Sequence, residues 1–115
     1  MNILEKIVAQ KRIEVGERKS LIPTALLEKS IYFNSPTVSL KSYLLRKDKS
    51  GIIAEFKRKS PSKGNINKYA KVDEVTLGYM QSGASALSVL TDEQFFGGSD
   101  NDLKQARKEL SMKGY

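Results

Sequence analysis

The chain has 115 residues, 39% of them apolar and 29% charged, with a formal net charge of +7, the profile of one soluble globular unit and not of a fibre or a disordered tail. It contains no cysteine and no histidine, which removes disulfides, thiolate nucleophiles, zinc fingers and imidazole bases together and leaves proton chemistry to Lys, Glu, Asp or Tyr. No apolar run approaches the roughly 18 residues that cross a bilayer and the first residues form no secretory leader, so a cytoplasmic location without membrane contact is expected.

In chain order, Ile3, Leu4, Ile7, Val8 and Val15 recur at helical spacing and predict an amphipathic helix over residues 3 to 18. Pro23 and the stretch Ser30 to Pro36 punctuate a second helical segment over 24 to 29, and Leu40, Tyr43 and Leu44 predict a third over 39 to 46. Residues 47 to 51 read as a turn. The period then changes: Ile52-Ile53-Ala54-Glu55-Phe56-Lys57 is an apolar-rich run bounded by Gly51 and Ser-Pro-Ser, which predicts a buried strand. Residues 60 to 65 read as a loop. Val72, Val75, Tyr79 and Met80 define a helix over 72 to 82 that stops at Gly83. Ala84 to Leu90 predicts a second strand, residues 95 to 99 a loop, and Asp100 or Asp102 the cap of a helix through Leu110. Two strands in succession, each followed by a helix, imply parallel pairing with a right-handed crossover, the unit of an open sheet or of a barrel.

Alternation within the first strand puts Ile53, Glu55 and Lys57 on one face and Ala54 and Phe56 on the other. A carboxylate and an ammonium thus share the C-terminal end of a strand expected to be apolar around them, where ligands bind in barrels and open α/β sheets alike. An intrastrand ion pair with no chemistry is the plain alternative. Ser60-Pro61-Ser62-Lys63-Gly64 adds hydroxyls, backbone N–H groups and the Lys63 cation, a set that suits an oxyanion. Phe95 and Phe96 could pack in the core or stack on a planar substrate. The basic residues are interspersed with Asp and Glu, and only Lys57 to Lys63 is dense, so no nucleic acid is expected as partner.

The run Ile53-Ala54-Glu55-Phe56-Lys57-Arg58-Lys59-Ser60-Pro61-Ser62-Lys63-Gly64 resembles the signature of the indole-3-glycerol-phosphate synthases, which reads roughly I-A-E-x-K-x-x-S-P-S-x-G. Tyr79, Gly83-Ala84, Ser88 to Asp92 and Phe95 to Ser99 follow in that family's order, and the opening residues are similar to its N-terminal helical extension. The resemblance implies an α/β fold, part of a (β/α)8 TIM barrel. Residues 1–50 would form the helical extension, residues 51–110 the first two of eight strand–helix units, and residues 111–115 a tail unlike the family.

It also implies a cofactor-free and metal-free lyase of tryptophan biosynthesis, acting on a phosphorylated anthranilate derivative. Lys57 corresponds to the lysine that meets the substrate's carboxylate, Glu55 to the glutamate that positions the lysines, Ser60 to the serine of the substrate pocket and Phe96 to the aromatic beside the anthranilate ring. A third-strand Lys-Asp-Phe motif, a later glutamate and the main phosphate site are not in these 115 residues. The chain is therefore expected to be inactive alone and to self-associate through open sheet edges. Two other readings stand beside this one: a non-catalytic anion-binding or interaction module, and a small basic nucleic-acid binder. A steep salt dependence of binding would mark the last.

Overall fold

The computed structural model describes all of residues 1–115, which divide into two compact units, 1–38 and 39–115. The boundary drawn from sequence at residue 50 lies inside the second unit, which takes the third helix with it.

In the first unit, helix α1 spans Ile3–Leu21 and helix α2 spans Thr24–Glu28. Asn2 caps α1 by accepting a hydrogen bond from the Glu5 N–H at 2.8 Å, and its side-chain amide donates to the Glu5 carboxylate at 3.2 Å, a reciprocal arrangement that satisfies an otherwise orphaned N–H at the helix start. The helix continues past residue 18, where periodicity ends it, because Glu17, Arg18 and Lys19 are good helix formers and the first breaker is Pro23. The apolar stripe of α1 is present but uncovered: none of its residues is buried, and Leu4, Ile13 and Val15 are exposed. Val15, Leu21, Ile22 and Leu27 line an apolar groove of about 450 Å³ between the two helices.

The second unit begins with the short helix α3, Leu40–Leu44, capped by Ser39, and then strand β1, Ile53–Phe56. Strands β2 (Lys59–Ser60) and β3 (Gly64–Asn65) follow, then helix α4 (Val72–Gln81), strand β4 (Ala86–Val89) and helix α5 (Asp100–Met112). β1 and β4 pair in parallel with Ile53 opposite Ala86 and Glu55 opposite Ser88, as the strand–helix–strand order predicts. Residues 60 to 65 depart from the expected loop, since β2 and β3 form a two-residue antiparallel ladder. These polar residues carry no apolar alternation to announce a strand.

The helix ends follow local chemistry. Gly83 adopts φ +98°, donating to Met80 O at 3.1 Å while Ala84 N–H donates to Tyr79 O at 3.1 Å, the pair of bonds that closes a helix at a left-handed residue. Gly114 closes α5 in the same way, with Tyr115 N–H on Leu110 O at 2.8 Å. The start of α5 needs a correction: its cap is Ser99, which accepts from the Asp102 N–H at 3.2 Å, not Asp100 or Asp102. The Asp102 side chain is turned inward instead.

Only one face of the β1–β4 sheet is covered. Phe56 is buried with Val72 and Ala106, and Ala70, Val75 and Val89 pack against them. The polar groups enclosed here are satisfied: the fully buried Thr76 hydroxyl donates to Val72 O at 2.6 Å, and Ser85 Oγ accepts from Gly51 N–H at 2.7 Å, as burial without desolvation loss requires. The other face carries Ile53, Glu55 and Lys57, all exposed. The apolar surroundings predicted for Glu55 and Lys57 are therefore absent. Alternation sets which residues share a face, but not whether another layer covers it.

Gly98 sits where the chain after β4 turns back on itself, and its N–H donates to Asp92 O at 2.7 Å. A Cβ there would lie 1.9 Å from Leu90 O, and the obstacle is backbone, which does not rotate away. Gly98→Ala is expected to lower unfolding stability by about 2 kcal/mol, measured as a shift of the urea midpoint at unchanged slope. A variant as stable as the parent would show that the turn relaxes freely.

Candidate functional site

The C-terminal ends of β1 and β4 lie side by side, with Leu90 N–H donating to Phe56 O at 3.1 Å beyond the last paired residues. Two loops leave this edge, residues 57 to 71 and residues 90 to 99. They are bonded to each other: Lys59 N–H donates to Phe96 O at 3.3 Å, and the Arg58 guanidinium to Gly97 O at 3.4 Å.

On the open face, Glu55 and Lys57 project on the same side, as alternation predicts. The Glu55 carboxylate accepts from Ser88 Oγ at 2.8 Å, so its partner is the neighbouring strand and not Lys57. Parallel register explains this, because directly paired residues share a face and Ser88 is opposite Glu55. Ser60 is buried, and its Oγ accepts from Lys63 N–H at 3.2 Å within the β2–β3 turn. Its hydroxyl thus shapes the loop, while the Lys63 side chain stands exposed. Phe96 is half-buried in a turn whose N–H groups, at Phe95 and Phe96, converge on the Asp92 carboxylate at 2.6 and 3.3 Å. The structure brings Glu55 and Lys57 onto one face and ties the two loops together by backbone. It puts Ser60, Lys63 and Phe96 in those loops without direct hydrogen bonds to Glu55 or Lys57.

Arg58, to which the residue pattern assigns no role, joins these parts. Its guanidinium makes a two-pronged ion pair with Asp102 of α5, donates to Ala70 O at 3.0 Å and lies 5.0 Å from the centre of the Phe56 ring. The bond to Asp102 holds the guanidinium above its ordinary pKa, against the opposing effect of desolvation. Its backbone carbonyl accepts from Ile66 and Asn67 N–H at 2.8 and 3.0 Å. One residue thereby fixes the first loop, the second loop and the start of α5.

The model of the indole-3-glycerol phosphate synthase family matches residues 4–114. The chain belongs to this family. The match takes in residues 111 to 114 of the stretch set apart above as a tail. The indole-3-glycerol phosphate synthase of Bacteroides thetaiotaomicron is 49% identical over 106 residues, covering 92% of this chain and 40% of the relative. That of Prochlorococcus marinus strain MIT 9515 is 44% identical over 112 residues, covering 96% of the chain and 38% of the relative. The Oceanobacillus iheyensis synthase is 40% identical over 115 residues, with 97% and 41% covered. The chain thus spans about 40% of the length of the curated relatives it matches.

Ser88, which stands in the matching run, has no role assigned by the residue pattern, yet it is the hydrogen-bond partner of Glu55. Alternation puts Ala86 and Ser88 on one face of their strand and Leu87 and Val89 on the other, and the parallel register then makes the Ser88 face the one that bears Glu55.

Proposed function

We propose that this chain supplies the first two strand–helix units of an indole-3-glycerol phosphate synthase site, preceded by a helical extension. The site closes the ring of 1-(2-carboxyphenylamino)-1-deoxyribulose 5-phosphate, forming one carbon–carbon bond and releasing CO2 and water without a cofactor. The observation that carries the reading is the shared open face of Glu55 and Lys57 at the C-terminal end of β1, beside Ser88 and beneath two joined loops.

On this reading the Lys57 ammonium faces the anthranilate carboxylate and orients the ring for attack, a charge–charge contact that strengthens once further strands exclude water. Glu55, held by Ser88, presents its carboxylate on the same face and helps to position the substrate-facing ammonium. Phe96 supplies an apolar wall to the aromatic ring, and the loop bearing Ser60 and Lys63 offers backbone N–H groups and a cation to the anionic substrate. General acid, general base and the main phosphate contacts then come from residues beyond these two units, so the 115-residue chain alone turns over no substrate at a measurable rate.

Backbone amide NMR of the isotopically labelled chain, titrated with millimolar indole-3-glycerol phosphate, tests the placement. Shifts confined to residues 55 to 63 and 88 to 98 are expected. Shifts confined to α1 and α2, or none at all, would refute it.

A further inference from the structure

Asp92 stands two positions after Leu90, whose N–H donates to Phe56 O at 3.1 Å, so its place is set by the end of β4. From there its carboxylate reaches forward into the loop. One oxygen, Oδ2, accepts from both Phe95 and Phe96 N–H at 2.6 and 3.3 Å, and the Asp92 carbonyl accepts from Gly98 N–H at 2.7 Å. Bonds to a carboxylate are stronger than bonds between neutral groups. Phe96 is thereby pinned on both sides, its N–H by Asp92 and its carbonyl by Lys59 N–H at 3.3 Å. With both flanking peptide groups held, the direction of its Cα–Cβ bond is fixed, and only the side-chain torsions remain to place the ring. Phe96 is half-buried, in a loop that leaves the edge where β1 and β4 end.

We propose that Asp92 is a positioning residue for the aromatic end of the substrate and acts through Phe96, setting the angle at which the phenyl ring meets the ligand's ring. Asp92 itself touches no substrate atom. Contact between aromatic rings is directional, with offset and edge-to-face arrangements favoured, so a turn released from Asp92 loses the contact while keeping the ring. Asp92 has this part only if the edge of β1 and β4 is the synthase site proposed above.

A double-mutant cycle tests this, with the Kd for indole-3-glycerol phosphate read by amide NMR titration of the 115-residue chain. Asp92→Ala and Phe96→Ala are each expected to raise the Kd roughly tenfold. The double variant is expected to bind like Phe96→Ala alone, because a residue that acts through another adds nothing once that other is gone. Asp92→Asn keeps one side-chain oxygen to accept both N–H groups and is expected to stay within about threefold of the parent. In the parent and in Asp92→Asn, nuclear Overhauser contacts join the indole protons to the Phe96 ring. In Asp92→Ala those contacts vanish while the ligand-induced shifts at residues 57 to 63 persist, an outcome that general unfolding does not give. Losses that multiply in the double variant, an Asp92→Asn chain as weak as Asp92→Ala, or an Asp92→Ala chain that binds like the parent or loses its far-UV circular dichroism would each overturn the proposal. A parent chain without shifts at residues 55 to 63 and 88 to 98 overturns the site reading, and the role of Asp92 with it.

Discussion

Asp102→Ala is expected to unfold residues 39–115 or to leave them marginally folded at room temperature. The Asp102 side chain is 7% exposed and that of Arg58 20%, so removing the carboxylate strands a guanidinium largely out of water. Breaking one side of such a pair costs about 3–5 kcal/mol, against a total of about 5–15 kcal/mol for a typical domain. The loss spreads because Arg58 also bonds Ala70 O and Gly97 O and lies over Phe56. Replacing both partners with apolar residues of similar size, Arg58→Met with Asp102→Leu, leaves no charge stranded and is expected to cost less than Asp102→Ala alone. Thermal unfolding followed by circular dichroism ranks the three proteins. A single variant more stable than the double would show that the pair acts through its other bonds alone.

Much of the second unit is legible from local pattern. Val72, Val75 and Tyr79 announce α4 because a helix must turn an apolar stripe inward, and Gly83 announces its end because only glycine enters the left-handed region without strain. The parallel pairing of β1 with β4 follows from element order. The Arg58–Asp102 pair is not legible, since its members are 44 residues apart and each reads as an ordinary surface charge until the loops are folded. The β2–β3 ladder is hidden for a different reason: Lys59, Ser60, Gly64 and Asn65 have neither the β-branched residues nor the alternation by which strands are recognised. For α1 the periodicity of Ile3, Leu4, Ile7 and Val8 is real, yet nothing in a period says what covers the stripe, and here it stands exposed. The same gap affects the candidate site. Alternation correctly places Glu55 and Lys57 together, whereas their exposure and the bond from Ser88 depend on register and on layers that a single strand does not encode.

Lys57 carries the second large expectation. If its ammonium orients the substrate's carboxylate, its loss removes a charge placed for the reaction and not merely a binding contact, so the fall appears in turnover more than in KM. Lys57→Met keeps much of the stem and deletes the charge, and in a site completed by the remaining strand–helix units a reduction of about a hundredfold or more in turnover is expected. Because Lys57 is exposed and at the end of β1, the substitution leaves the fold intact, which separates this outcome from that of Asp102→Ala.

The most direct measurement mixes the 115-residue chain with a fragment of the Bacteroides thetaiotaomicron synthase that holds the part of that relative beyond the matched region, and follows formation of indole-3-glycerol phosphate by fluorescence. Product is expected only when both pieces are present, and only at trace level when the chain carries Lys57→Met. Turnover by either piece alone at the combined rate, or by the mixture with Lys57→Met as fast as with lysine, would contradict the assignment of the β1 face to this chemistry.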